Sequence, residues 1–191
     1  MPATTTHSEA TELWQQVFGN RNPVEIEIGP GTGIFVLSAS RARPDTNFFA
    51  IEKSASRARL LDHTVKAQAR DNVVVLLNDA TFVLEAMVPR RSIQAYHIYF
   101  PDPWWKRRHQ RRRIFTPAFV AALARSLVPG GWVYIATDVD MVFDLMQASL
   151  RACSDFVEDP TKPSPRVTIT TFERKGLARG ATIRQSAFQR R

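Results

Sequence analysis

Apolar positions along the chain gather into five short runs, at residues 24–28, 47–52, 73–79, 93–100 and 132–138. Each is short and largely β-branched or aromatic, which is the pattern of strands covered on both sides. The segments between them, 34–41, 54–69, 81–87, 117–127 and 140–153, have helical character, and several open on Ser, Thr or Asp at the capping position. Thr116-Pro117 at one end and Pro129-Gly130-Gly131 beyond the other bracket one of these helices clearly. Strand and helix alternating in this way predict a doubly wound α/β fold with a mostly parallel sheet, whose ligands bind at the carboxyl ends of the strands.

The pattern changes after Cys153. Residues 159–165, DPTKPSP, read as a proline-rich connection, and 167–172 and 182–188 alternate like antiparallel edge strands. With 191 residues, 44% of them hydrophobic, the chain can bury one substantial core, so residues 1–191 are expected to form a single domain. Residues 1–20 form an N-terminal segment that need not be ordered. No internal repeat is present, and low complexity is confined to the threonine-rich start.

Charge sharpens the picture. The formal net charge is +8, and six of the eight residues from Lys106 to Arg113 are Lys or Arg, so the excess is focused. An isolated run of this kind is as readily a solvated loop or an address tag. The aromatic residues directly upstream shift the reading to a nucleic-acid partner. Cys153 is the only cysteine, which excludes an intrachain disulfide and a cysteine-rich zinc site and fits a reducing compartment. The opening MPATTTHSEATELW has no apolar core of a signal peptide, and no apolar run is long enough to cross a bilayer, so a cytoplasmic protein with no membrane association is expected.

Candidate chemistry falls at the predicted strand ends. Glu27-Ile28-Gly29-Pro30-Gly31-Thr32-Gly33 follows a strand and opens a helix, so its glycines can make a tight turn that lets a ligand approach the backbone. The spacing is G-x-G-x-G, with Ile34 where a dinucleotide fingerprint needs its last glycine, and the anionic Glu27 suits an amino or sulfonium group better than a pyrophosphate. Glu52 ends the second strand, where a carboxylate can accept both hydroxyl protons of a ribose. Asn78-Asp79-Ala80 ends the third and offers the donor and acceptor types of an adenine edge, although such a pair alone is more often a cap or turn. Phe100-Pro101-Asp102-Pro103-Trp104 ends the fourth strand, and its two prolines restrict the backbone around Asp102. Tyr99, Phe100, Trp104 and Trp105 could include a stacking face for a base, or serve as packing.

The first three strand ends resemble the S-adenosylmethionine site of class I methyltransferases. With PDPWWKRRHQRRR in place, Thr137-Asp138 at the end of the fifth strand and TTFERKG at 170–176, the chain resembles the bacterial tRNA (guanine-N7)-methyltransferase family from about Glu25 to Arg190. The resemblance implies a Rossmann-like sheet of seven strands, mostly parallel, with a C-terminal antiparallel hairpin. It implies methyl transfer from S-adenosylmethionine to N7 of a variable-loop guanine in tRNA. Glu27, Gly29, Gly31, Gly33, Glu52, Asn78, Asp79 and Ala80 would contact the cofactor, and Asp102 would be the catalytic residue at the acceptor. Lys106, His109, Arg112, Asp138, Thr170 and Glu173 would bind the target nucleotide and tRNA, with Arg107, Arg108, Arg111 and Arg113 gripping phosphates. No metal is expected, and a monomer is expected rather than a homodimer. Two departures stand out: the segment before Glu25 is short, and Gln185 stands where the family's last strand usually has Asp. The competing readings are an exocyclic amino-methyltransferase acting on nucleic acid, and an RNA-binding protein of this fold without catalysis.

Overall fold

In a computed structural model, which describes residues 7–103, 114–166 and 171–191, the apolar runs become the strands they predict. The first five strands are β1 (Val24–Ile28), β2 (Asn47–Glu52), β3 (Val73–Leu77), β4 (Ile93–Tyr99) and β5 (Leu127–Thr137). They are mutually parallel, joined by helices α2 (Ile34–Ala42), α3 (Ala55–Ala67), α4 (Ala80–Ala86) and α5 (Pro117–Ser126), with α6 (Asp140–Arg151) after β5. Every residue of β1 and β2 is buried, including the polar Glu25, Glu27, Asn47 and Glu52, because helices cover both faces. With β6 (Phe156–Asp159) and β7 (Arg184–Arg190), the seven described strands lie in the order β3-β2-β1-β4-β5-β7-β6, so the order reverses between β1 and β4 and opens a crevice at their carboxyl ends.

Alternation along each strand divides the core into two layers. Val24, Ile26 and Ile28 of β1 point to the layer of α4, α5 and α6. The opposite layer packs Phe35, Val36 and Ala39 of α2 and Leu61 and Val65 of α3 against Phe48, Ala50, Ala95 and Tyr99. Capping follows the sequence at two helices: Thr116 accepts from the Phe119 backbone N–H at α5, and Asp79 accepts from Thr81 and Phe82 at α4. Ser54, before α3, makes no such bond.

The ends of the chain depart from the expected pattern. Within the N-terminal segment, α1 (His7–Phe18) packs Trp14 against Phe49 with ring centroids 5.4 Å apart, because Trp14 and Phe18 sit one helical turn apart on one face. The strand expected at 167–172 is not found where it can be described: α7 (Thr171–Ala178) already begins at 171, and residues 167–170 lie outside the described set. The strand that completes the sheet is instead β6 (Phe156–Asp159), antiparallel to β7 (Arg184–Arg190), which also pairs antiparallel with β5. No described helix is long and apolar enough to cross a membrane.

Candidate functional site

A cleft of about 800 Å³ opens at the carboxyl ends of β1, β2, β3 and β4. It brings together Glu27, Gly29, Gly31, Glu52, Asn78, Asp79, Ala80 and Asp102, residues that lie as far apart in sequence as β1 and the loop after β4. Gly29, Gly31 and Gly33 all have positive φ, and Gly33 has the further constraint that a Cβ there would meet Leu61 Cδ1 at 2.2 Å. The turn therefore depends on glycine both for its backbone and for the seating of α3 beneath it.

Glu52 locks this turn. Its carboxylate accepts from the backbone N–H of Gly31 at 3.1 Å and of Ser54 at 2.8 Å, tying the glycine loop to the start of α3. Each oxygen keeps a second lone pair, so the carboxylate can still accept a pair of vicinal hydroxyls from a ligand.

Glu27 lies under the turn, and the backbone N–H of Val36, in the first turn of α2, donates to it. Its Oε2 is buried with no hydrogen-bond partner among the described residues. Burial, and then the negative charge of Glu52 nearby, push the Glu27 carboxyl up to about 8. A buried acid with one unsatisfied oxygen facing a ligand cleft is matched by a cationic ligand group that supplies both the missing donor and the compensating charge. The donor set thus fits the amino and sulfonium end of S-adenosylmethionine, with Glu52 placed for its ribose.

Asp79 does less than expected as a free ligand group. Its carboxylate caps α4 and pairs with Lys53 at 2.7 Å, and those bonds hold it below the usual carboxylate range. Asn78 accepts from the Asp79 backbone N–H at 2.8 Å, leaving its amide NH₂ for a ligand edge. Ala80 is buried at the start of α4 and gives the cleft a small apolar wall.

Asp102 sits at the mouth of the cleft. It is exposed, and no hydrogen bond or ion pair ties its carboxylate to another described residue. Just before it, Phe100 adopts a φ of +50°, a conformation a bulky residue rarely takes, and its N–H is anchored to the Ala136 carbonyl at 2.8 Å. This strained residue, followed by Pro101 and Pro103, restricts the backbone on either side of the acid where it lines the crevice.

Asp138 and Glu173 do not line the cleft. Asp138 packs against Gly176 of α7, where a Cβ would come within 2.9 Å of its Oδ2, and that oxygen pairs with Arg179 at 3.2 Å. Glu173, in the first turn of α7, pairs with Arg166 at 2.8 Å. The Arg166 guanidinium also donates to Gln185 at 2.8 Å, so the unusual Gln185 has a defined partner. Lys106, His109, Arg112 and Thr170, with the rest of the basic block and Trp104 and Trp105, lie outside the described residues.

Sequence reading missed Arg166, Ser164 and the buried polar face of β4. His97 and Tyr99, two positions apart and so on one face of β4, were the signal for that face.

A family model described as "Putative methyltransferase" matches residues 21–185. The tRNA (guanine-N(7)-)-methyltransferase of Nitrosomonas europaea is 34% identical over 178 residues, covering 91% of this chain and 79% of that protein. The enzyme of the same name from Aromatoleum aromaticum is 36% identical over 177 residues, covering 91% of this chain and 68% of its own. Among solved structures, the aminoglycoside resistance methyltransferase NpmB1 superposes with a TM-score of 0.63 at 18% identity, covering 95% of this chain and 93% of that one. At that identity the likeness concerns the fold.

Proposed function

The chain belongs to the tRNA (guanine-N7)-methyltransferase family, and we propose that the cleft at the β1/β4 switch is where it methylates N7 of a variable-loop guanine in tRNA. S-adenosylmethionine is the methyl donor. When bound, it supplies an electrophilic methyl group on a positively charged sulfur.

Guanine N7 carries a lone pair and no proton, so no general base is needed and the protein's part is positioning and electrostatics. Glu27 would hold the cationic end of the donor, Glu52 its ribose hydroxyls, and Asn78 the adenine edge, with Gly29, Gly31 and Gly33 letting the backbone close on it. Asp102 would face the acceptor guanine. As positive charge moves from sulfur to the purine ring, a carboxylate at that position favours the transition state over the ground state, and it can also accept from guanine N1–H and the exocyclic amine.

Glu173 and Asp138 would act from α7 and the end of β5, on the acceptor's far side. Lys106, His109, Arg112 and Thr170 would contact the nucleotide and the tRNA backbone, and the remaining arginines of the block would neutralise phosphates without reading sequence.

The observation that carries this reading is the convergence of Glu27, Glu52 and Asp102 on one cleft, with the orphaned Glu27 oxygen at the donor end and the unpaired Asp102 at the acceptor end. The test is incubation of purified protein with isotopically labelled S-adenosylmethionine and unmodified tRNA, followed by nucleoside mapping. Label recovered as 7-methylguanosine supports the reading; label on an exocyclic amine, or none at all, overturns it.

A further inference from the structure

A run of buried polar groups crosses the α2 side of the sheet. Glu25 accepts from Arg43 at 2.6 Å and bonds His97 Nε2 at 2.8 Å; His97 Nδ1 meets the Tyr99 hydroxyl at 3.0 Å; that hydroxyl meets Ser164 Oγ at 3.0 Å; and Ser164 Oγ accepts from Arg166 Nε at 3.2 Å. Burial disfavours the imidazolium and keeps His97 neutral despite the Glu25 carboxylate beside it.

The chemistry of the two ends fixes the direction of every link. A carboxylate only accepts, so neutral His97 donates from Nε2 and accepts at Nδ1, which makes Tyr99 the donor to His97 and Ser164 the donor to Tyr99. Guanidinium only donates, so Arg166 closes the series from the other side. All five links are satisfied with no donor facing a donor, an arrangement in which each bond polarises the next.

This chain ends on Arg166, a side chain that joins three elements. The Arg166 guanidinium lies over the Tyr99 ring at 5.2 Å, donates to Glu173 of α7 at 2.8 Å, and donates to Gln185 of β7 at 2.8 Å. Its side chain is only 9% exposed, so the fork has few other orientations open to it. Because Gln185 is neutral, Glu173 is the one acid paired with Arg166 among the described residues, where an Asp at 185 would compete for its charge.

We infer that Arg166 is a positioning residue for methyl transfer, oriented by the Glu25–His97–Tyr99–Ser164 chain and acting through Glu173, whose carboxylate it holds at the acceptor side. The inference rests on the proposed role of Glu173 in the target site. It also assigns a purpose to Gln185, which leaves Arg166 undivided.

The test is a double-mutant cycle on turnover at saturating tRNA, with cofactor affinity measured separately by calorimetry. Arg166→Ala is expected to lower turnover on the order of tenfold or more while cofactor affinity holds, the signature of lost orientation at the acceptor. In a Glu173→Gln background the same substitution is expected to cost little further, because the pathway through Glu173 is already broken. Arg166→Lys should fail to restore turnover, since an ammonium cannot serve Ser164, Glu173 and Gln185 together. Tyr99→Phe keeps the ring under Arg166 but removes two links, and should give a smaller loss in the same direction. Losses that multiply across the cycle, an equal fall in cofactor affinity, or full rescue by Arg166→Lys would each overturn the inference. The cycle is read on whichever methylated nucleoside the wild type forms, so a product other than 7-methylguanosine overturns the functional reading and leaves Arg166 decided by the cycle.

Discussion

Glu52 and Gly31 are joined by a hydrogen bond of 3.1 Å from the glycine N–H to the buried carboxylate, which fixes the glycine turn to the end of β2 before any ligand arrives. With the second bond from Ser54, the acid is preorganised and its free lone pairs point to the cleft. In Glu52→Gln, one of the two backbone donors would face an amide NH₂ rather than an acceptor. A buried donor left unsatisfied costs about 1–3 kcal/mol, and the ligand also loses an acceptor for its hydroxyls. Calorimetric titration with S-adenosylmethionine should show affinity weakened by roughly one to two orders of magnitude. Unchanged affinity would remove Glu52 from the cofactor site.

Asp102 separates from Glu52 in its expected phenotype. Its carboxylate has no described partner, lines the cleft and, in the proposed function, faces the acceptor, so Asp102→Ala removes no structural bond and should leave both thermal stability and cofactor affinity near wild type. Methyl transfer to tRNA should fall by about two orders of magnitude or more, the usual scale for one charge-stabilising group. Single-turnover kinetics with prebound cofactor makes the measurement directly; equal losses in cofactor binding would contradict the assignment.

The central sheet was legible where the strands are made of aromatic and β-branched residues, as in the Phe48–Ile51 stretch of β2 and the all-apolar β3, whereas β1 alternates Glu25 and Glu27 with Val and Ile and is nonetheless buried at every position. Glu27, the glycine turn and Glu52 were legible for a related reason: a charged or glycine residue at the end of a buried strand has few structural explanations. The C-terminal third was harder to read. β6 has a single buried residue among its four, and its pairing with β7 joins segments whose alternation is too short to show in sequence. Of the stretch 167–172 that suggested a strand, Thr171 and Phe172 instead open α7, where Glu173 meets Arg166 and Gly176 seats Asp138, and residues 167–170 lie outside the described set. The Tyr99–Ser164 bond spans 65 positions, and nothing local to either residue announces the other.

The Glu25–His97 pair makes stability sensitive to acid. His97, held below its ordinary value of 6.5 by burial, stays neutral in the folded state, while the unfolded chain takes up a proton as pH falls through 6.5. The unfolded state then binds more protons, so stability falls with pH, by up to about 1.4 kcal/mol per pH unit for this one group. Burial opposes ionisation of Glu25, but the hydrogen bonds from His97 and Arg43 and the positive charge of Arg43 outweigh it and hold the acid below its ordinary 4.5. Its contribution is therefore present above 4.5 and lost as pH drops through the lowered folded value. Thermal denaturation should show the melting temperature falling from pH 7 to pH 5 and again below 4.5. A Glu25→Gln, His97→Gln double variant should have a lower melting temperature at pH 7 and a flatter profile; a profile as steep as wild type would place the acid sensitivity elsewhere.

Glu27 couples cofactor binding to pH in the opposite part of the range. With its carboxyl pushed up to about 8 by burial and by Glu52, the acid is mostly protonated at pH 7 when the cleft holds no cation. A cationic ligand end favours the carboxylate, so binding should release a proton, and affinity should rise with pH until the free protein is itself ionised above about 8. Calorimetry at pH 7 in two buffers of different ionisation enthalpy should report a substantial fraction of a proton released, diminishing toward pH 9. Glu27→Gln should abolish that release and weaken cofactor binding. It should also raise the stability of the free protein at pH 8, on the order of 2 kcal/mol, because a neutral amide no longer resists burial the way an ionising acid does. Higher stability together with poorer binding would identify Glu27 as a residue kept for its ligand at the expense of the fold. A variant that binds as well as wild type would show that the orphaned oxygen is not where the cofactor's charge rests.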